Sequence, residues 1–194
     1  MVNLVYNTRK DLKGDDVFRT IEEDIFRFAN DGESSFLQFH TTWAGDKNQL
    51  QIIIGSEHPK LVEKLKGSKH IVFDGTFKTT AKPFKQVWII MVWDDEDDVY
   101  IPVMWILMTG QTAEHYLLAL HNIVVAVGGQ SPIAPRSATC DFEQAMINAL
   151  HEKFGKEGQS GFSINGCRFH FKQACRGTMV ELWIEDTQIS YAMK

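Results

Sequence analysis

Two aspartates at the ends of apolar segments are the residues of this chain best suited to chemistry. Asp74 follows the apolar residues 71–73 and precedes Gly75, and Asp141 follows a short apolar segment that ends at Cys140. Two carboxylates held close together repel each other unless a cation neutralises them. Mg²⁺ (or Mn²⁺) is the expected cation, because it takes hard oxygen ligands and leaves room for water and phosphate. The pair therefore indicates a metal site that could activate a water or a 3′-hydroxyl.

Both aspartates also have a structural interpretation, which spacing alone favours slightly. Asp-Gly is a common turn dipeptide, so Asp74 could simply begin a turn. Asp141 stands where its side chain could cap the helix predicted to follow. The elements that position the two residues must therefore be considered.

The apolar periodicity from residue 69 onward predicts eight elements in the order β-β-β-α-β-α-β-α. They are strands at 69–76, 86–93 and 99–108, a helix from Thr112 to 127, a strand at 136–140, a helix at 143–154, a strand at 162–169 and a helix at 170–181. A three-stranded meander followed by alternating helices and strands indicates an α/β fold with a mixed, ribonuclease-H-like sheet. In such a sheet the first and fourth strands are parallel neighbours, so Asp74 and Asp141 would face each other across one edge.

The first 68 residues are predicted to form a small α+β extension. Its elements are a polar lead-in at 1–13, a helix from Asp15 or Asp16 to about Asn30, strands at 35–41 and 49–54 joined by a hairpin tip at 44–48, and a short helix from His58 to Gly67. The predicted domains are therefore 1–68 for the extension and 69–182 for the core.

Four segments of the chain resemble Mutator-like (MULE) transposases of the DDE superfamily. In order they are DGTFKTTAKPFKQVWII, YIPVMWILMTGQTAEHYLLAL, TCDFEQAMINAL and INGCRFHFKQA, and the resemblance covers roughly residues 50 to 182. It implies metal-dependent DNA cleavage and strand transfer, with Asp74 and Asp141 as catalytic residues and metal ligands. It also implies transposon-end DNA as partner, a homo-oligomer when full length, and a nuclear location. The alternative is a domesticated, catalytically inactive DNA- or protein-binding module.

Cys167 and His170 form a C-x2-H motif that matches the same family. Their spacing resembles half of a zinc site, and Cys175 could add a ligand, but a structural zinc site needs four, so zinc is not favoured. The resemblance makes the pair a structural or DNA-proximal element beside the active site. A half-buried cysteine and a hydrogen-bonded histidine at a strand–helix junction remain the simpler alternative.

A third acid is the missing part of the expected catalytic set. Glu181 lies 40 residues after Asp141, a spacing that would suit a retroviral-integrase-like site. The MULE resemblance instead implies an acid beyond a helical insertion, of which 183–194 would be the truncated start. Glu181 is thus a candidate third acid, but a solvated helix residue is the favoured interpretation. The chain is expected to be an incomplete fragment that lacks its third acid.

The remaining charged residues are expected to be structural or to form a local patch. The acidic run Asp94–Asp98 is predicted to be a solvated hairpin tip, and His115 and His121 are predicted at the surface. Glu143 could support Asp141 or favour the helix N-terminus. Candidates for a phosphate-facing patch are Lys78, Lys82, Lys85, Arg168, Lys172 and Arg176.

Composition limits the class of protein. With 44% hydrophobic and 23% charged residues the chain has a globular composition, and no apolar run reaches the roughly 18 residues needed to span a bilayer. Its net charge of −5 argues against a broad duplex-binding surface. Three cysteines cannot all pair within the chain, which indicates a reducing intracellular compartment.

Overall fold

The computed structural model describes residues 27–29, 34–45, 49–77, 80, 82–127, 133–155 and 161–182. The predicted lead-in, nearly all of the helix predicted to end near Asn30, and the start of the helical insertion lie outside these residues, as do Lys78 and the centre of the first hairpin tip. Only residues 27–29 of that predicted helix are described. The helix prediction is wrong at Phe28, which forms an antiparallel bridge with Ser35.

Seven strands and four α-helices are found in the described residues. The strands are β1 (Leu37–Ala44), β2 (Leu50–Ser56), β3 (His70–Thr76), β4 (Gln86–Asp94), β5 (Val99–Met108), β6 (Ser137–Cys140) and β7 (Ser163–Gly166). The helices are α1 (Pro59–Gly67), α2 (Ala113–Ala126), α3 (Gln144–Leu150), which continues into a π-helical turn at His151–Gly155, and α4 (Arg168–Glu181). From β3 to α4 the elements follow the predicted order.

All seven strands form one mixed sheet in the order β1-β2-β5-β4-β3-β6-β7. The pairs β3–β6 and β6–β7 are parallel, and the other four pairs are antiparallel. The α/β class and the mixed sheet are confirmed, as is the parallel pairing of the first and fourth core strands. The hairpin β1–β2, predicted as part of a separate extension, continues the same sheet beyond β5.

The core lies between the sheet and helix α2. In β4 every second residue from Gln86 to Asp94 is buried, as expected of a strand with one face on the core. Tyr116, Ala119, Leu120 and Ile123 recur at helical spacing on α2 and are almost completely buried. Each large apolar side chain buried in this way stabilises the fold by about 1.5–3 kcal/mol. The core therefore holds β3 and β4 against α2. Asp74, near the end of β3, is thus part of a firmly packed strand.

His115 is buried, so its predicted surface position is wrong, whereas His121 is exposed as expected. His115 Nδ1 lies 2.8 Å from Thr112 Oγ1, and His115 Nε2 lies 3.0 Å from Gln51 Oε1. Its ring centroid is 4.8 Å from that of Trp43. Thr112 occupies the predicted N-cap position of α2, but its hydroxyl bonds His115 and does not cap the helix.

The junction between β7 and α4 also differs from the prediction. The strand predicted at 162–169 ends at Gly166, Cys167 is the N-cap residue, and the helix begins at Arg168. The Cys167 N–H donates to the Cys140 carbonyl at 2.7 Å, and this bond ties the start of α4 to the end of β6. The helix predicted from Glu143 begins at Gln144, with Glu143 as its N-cap.

Asp94 is buried, so its predicted place in the solvated turn is wrong, while Asp95–Asp98 form the exposed turn as predicted. The alternation of β4 directs Asp94 toward the core side, where both of its carboxylate oxygens lie 2.9 Å from Lys64 Nζ of α1. The hydrogen bond from Lys64 is the main reason that the pKa of Asp94 is lowered.

Asp94→Asn is expected to lower the melting temperature at neutral pH and to have little effect in acid. A carboxylate whose pKa is lowered by folding stabilises the protein above its unfolded pKa, and this stabilisation is lost as pH falls through the folded value. Thermal unfolding at neutral pH and near pH 2–3 would measure the difference, with the exposed Asp95→Asn as control. A variant as stable as Asp95→Asn at neutral pH would contradict the role of the ion pair.

The three cysteines, Cys140, Cys167 and Cys175, are free thiols. Among the residues that the structure describes, no helix is both long enough and apolar enough to cross a membrane.

Candidate active site at the carboxyl ends of β3 and β6

Asp74 and Asp141 lie at the same edge of the sheet. The parallel register of β3 and β6 runs from His70 opposite Ser137 to Val72 opposite Thr139. The same offset, if it continued by two residues, would put Asp74 opposite Asp141, one residue beyond the end of β6. Neighbouring strands are about 4.8 Å apart. The structure therefore has the two predicted acids near the carboxyl ends of two neighbouring parallel strands.

Each of the two aspartates follows a residue of the core. Phe73 and Cys140, the residues that precede them, are buried on the core side. Since successive side chains of a strand point to opposite faces, Asp74 within β3 is directed away from the helix layer of α2 and α3, and Asp141 directly follows the end of β6. The Asp74 side chain is 41% exposed. The pair is thus accessible from solvent and backed by a closed core.

His170 lies against Asp74. Its Nε2 is 3.8 Å from Asp74 Oδ1, and its Nδ1 is buried without a hydrogen-bond partner in the described structure. His170 is in the first turn of α4, whose amino end carries partial positive charge. The C-x2-H motif is therefore next to the acid pair, with Cys167 fixing the start of the helix and His170 contacting the first acid.

Beneath the acids, Gln86 and Tyr116 form a buried polar pair that the sequence did not reveal. Both are completely buried. Gln86 Nε2 donates to Tyr116 Oη at 3.0 Å and to the Gly110 carbonyl at 3.2 Å, and Tyr116 Oη is 2.7 Å from Glu143 Oε2. The sequence did contain one signal for this pair: Tyr116 stands on the apolar stripe of α2, and a buried tyrosine needs a hydrogen-bond partner for its hydroxyl.

Glu143 connects this buried pair to the second acid. Its backbone N–H donates to Asp141 Oδ1 at 3.1 Å. Burial raises the pKa of Glu143, and the hydrogen bond from Tyr116 acts against that increase. Burial, followed by the bond to Glu143, raises the pKa of Tyr116 well above its usual value, so the hydroxyl keeps its proton at neutral pH.

Glu181 is not brought to the acid pair. It is the exposed last residue of α4, 11 residues after His170, which corresponds to about 16 Å along the helix axis. Within the described ranges, no three histidine, cysteine, aspartate or glutamate side chains come together as ligands for a metal ion. The described part of the site is therefore a pair of acids and not a triad.

Helix α4 presents basic and aromatic side chains beside the acids. Arg168, Lys172 and Arg176 follow at intervals of four residues, which puts them on one side of the helix. None of the α4 residues is buried, and Phe169 and Phe171 are exposed. The Phe171 ring centroid is 6.3 Å from that of Phe142, the residue after Asp141.

Comparison with known proteins gives one family. A family model described as the MULE transposase domain matches residues 70–174, which is more than half of the 194 residues. The matched range includes Asp74, Asp141, Cys167 and His170, and it ends before Glu181. No curated protein sequence matches the chain.

Proposed function

Since the chain belongs to the MULE transposase domain family, we propose that it carries a ribonuclease-H-like DDE core for metal-dependent DNA cleavage and strand transfer. In this proposal Asp74 and Asp141 are the catalytic residues, and a third acid is supplied from outside the described residues. The observation that carries the proposal is the parallel pairing of β3 and β6, the two strands near whose carboxyl ends Asp74 and Asp141 lie.

The chemistry of the donor set fits Mg²⁺ or Mn²⁺. Mg²⁺ is commonly held by one or two carboxylates, with water and substrate phosphate filling the remaining positions. Asp74 and Asp141 supply hard carboxylate oxygens, and both side chains are partly exposed. When bound, the ion supplies charge neutralisation at the reacting phosphate and a lowered pKa for the attacking water or hydroxyl. Cys167 and His170 are proposed as structural or DNA-proximal residues and not as zinc ligands.

The side chains around the acids suit a DNA substrate. Arg168, Lys172 and Arg176 on α4 offer positive charge to the phosphate backbone, although the net charge of the chain is −5. His170, in contact with Asp74, would face the DNA close to the scissile phosphate. The proposed substrate is the terminal DNA of a transposon, bound by a homo-oligomer of the full-length protein in the nucleus.

The proposed domain organisation has a core at 69–182 with an extension at 1–68. Strands β1 and β2 of the extension continue the core sheet at β5, so the two parts share one sheet. Residues 183–194 are proposed to begin a helical insertion that precedes the third acid.

A second candidate function is a catalytically inactive DNA- or protein-binding module derived from a transposase. The exposed apolar side chains on and after α4 favour it, because exposed apolar clusters often mark interaction sites. They include Phe169, Phe171, Val180 and Leu182. The two candidates differ in whether the acid pair still binds a divalent cation.

Titration calorimetry with Mn²⁺ and Mg²⁺ separates these candidates. The unaltered chain is expected to bind Mn²⁺, and the double variant Asp74→Asn, Asp141→Asn is expected to bind at least about tenfold more weakly, a loss of about 1.4 kcal/mol or more. Amides keep the shape of the carboxylates and remove the charge that attracts the ion.

The matched control is the double variant Asp95→Asn, Asp97→Asn in the exposed turn between β4 and β5. It changes the net charge by the same amount at the opposite end of the sheet, and it is expected to bind Mn²⁺ as the unaltered chain does. An equal loss in both double variants would refute a specific site at Asp74 and Asp141. An unaltered chain that binds neither ion would favour the inactive module.

A further inference from the structure

We infer that Glu143 is the positioning residue for Asp141, and that the buried pair Tyr116–Gln86 holds Glu143 in place. The inference rests on the proposed function, in which Asp141 takes part in metal binding. It assigns to Glu143 a role through its backbone and not as a metal ligand.

The contact between Glu143 and Asp141 fixes one carboxylate oxygen. The Glu143 N–H donates to Asp141 Oδ1 at 3.1 Å, within the turn between β6 and α3. An N–H bond to one oxygen limits rotation of the carboxylate and leaves the lone pairs of the other oxygen for a cation. The orientation of Asp141 therefore depends on where the backbone at Glu143 lies.

The Glu143 side chain is anchored from the core. Its Oε2 accepts the Tyr116 hydroxyl at 2.7 Å, while Tyr116 Oη also lies 3.2 Å from Gln86 Oε1. The hydroxyl has one proton, and Tyr116 donates it to the nearer acceptor, the Glu143 carboxylate. Gln86 Nε2 then donates to the same hydroxyl oxygen at 3.0 Å. Since Gln86 and Tyr116 are completely buried, the anchor is as rigid as the core.

Direct metal binding by Glu143 does not fit these contacts. Its Oε2 accepts the buried Tyr116 hydroxyl on the α2 side at 2.7 Å, so this oxygen is engaged with the core. No group of three acidic, histidine or cysteine ligands is found among the described residues. The effect of Glu143 on a bound ion is therefore indirect, through the position of Asp141.

Three variants separate an effect of the position of Glu143 from an effect of its charge. Tyr116→Phe removes the anchoring hydroxyl, and Glu143→Ala removes the anchored side chain. Glu143→Gln keeps an oxygen that can accept from Tyr116 but removes the charge. Residues that orient metal ligands typically change metal affinity by about 10–100-fold when mutated. We expect Tyr116→Phe and Glu143→Ala to weaken Mn²⁺ binding by about tenfold, and Glu143→Gln to remain within about twofold of the unaltered chain.

A measurement without metal tests the same contact. Amide hydrogen exchange, followed by NMR on the whole chain, reports the N–H at position 143 directly. Its protection is expected to fall in Tyr116→Phe and Glu143→Ala and to be kept in Glu143→Gln. Asp94→Asn is the matched control, because it removes a buried polar contact at the far end of β4 and should change neither protection at 143 nor Mn²⁺ affinity.

Two outcomes would overturn the inference. Glu143→Gln binding Mn²⁺ as weakly as Glu143→Ala would show that charge is the cause, and unchanged protection at 143 in Tyr116→Phe would show that the anchor has no effect. If the unaltered chain binds no Mn²⁺ while the protection changes as expected, the proposed metal chemistry fails and the positioning of Asp141 by Glu143 stands.

Discussion

Glu57→Gln is expected to raise the stability of this protein above neutral pH and to leave it nearly unchanged near pH 4. Glu57 lies between β2 and α1 with no exposed surface, and neither of its carboxylate oxygens has a hydrogen-bond partner in the described structure. A charged carboxylate in such a place is costly. Burial accordingly raises the pKa of Glu57 to about 7, although Lys66 acts in the opposite direction.

The direction of the pH effect follows from this raised pKa. A carboxyl group whose pKa is higher in the folded state than in the unfolded chain binds an extra proton on folding between the two values. The stabilisation is complete below the unfolded value of 4.5 and is lost as pH rises through about 7. The full loss amounts to about 3 kcal/mol. Glutamine stays neutral throughout, so the variant should not show this loss.

Chemical denaturation across the range from about pH 4 to pH 8 would measure the effect. The free energy of unfolding of Glu57→Gln minus that of the unaltered chain should grow steadily with pH. Glu152→Gln, which changes an exposed acid beyond α3, is the control and should give a flat difference. A flat difference for Glu57→Gln as well would mean that the buried carboxyl titrates normally.

Gly110→Ala is expected to destabilise the fold by about 3 kcal/mol, at the upper end of the usual cost of overpacking. A Cβ atom at Gly110 would lie 2.3 Å from His115 Cε1 and 2.4 Å from His115 Nε2. The imidazole cannot move aside easily, because both of its nitrogens are hydrogen-bonded and Trp43 packs against it. Relief of the clash would break at least one of these buried hydrogen bonds.

Gly67→Ala is the matched control for this substitution. Gly67 ends helix α1, and nothing lies within 4 Å of a Cβ atom built there. The control is expected to be neutral or to stabilise by up to about 1 kcal/mol, because alanine loses less backbone freedom on folding. Urea unfolding of both variants gives the comparison. Equal stability of the two alanine variants would show that His115 can be displaced without cost.

The sequence predicted the parts of this fold that depend on local patterns. The continuous apolar run of β4 predicted a strand, and the helical spacing of apolar residues on α2 predicted its buried face, because each pattern lies within a single element. The position of Asp74 and Asp141 at the ends of β3 and β6 followed from the predicted order of elements. Their place at one edge of the sheet then depended on one non-local pair of strands, β3 and β6, which the structure contains.

The features that the sequence did not predict depend on contacts between distant segments. His115 is buried because Gln51, 64 residues earlier, supplies an acceptor beside Gly110. Asp94 is buried because Lys64 of α1 reaches it across the end of the sheet. The Tyr116–Glu143 contact joins α2 to the N-cap residue of α3. The sequence predicts each of these helices by itself and does not indicate that they touch. Composition and periodicity carry no information on such pairs.

The parallel pairing of β3 with β6 also has a consequence for the order in which the molecule folds. Its paired residues are 67 positions apart in the chain, and β4, β5 and α2 all lie between them. Pairings over such distances form slowly, since the entropy of closing the loop must be overcome before any contact compensates for it. We therefore expect the acidic pair to be assembled late, after the intervening meander and helix have formed. Affinity for a divalent ion would then serve as a reporter of complete folding, and a change between the two strands that prevents their pairing would abolish it.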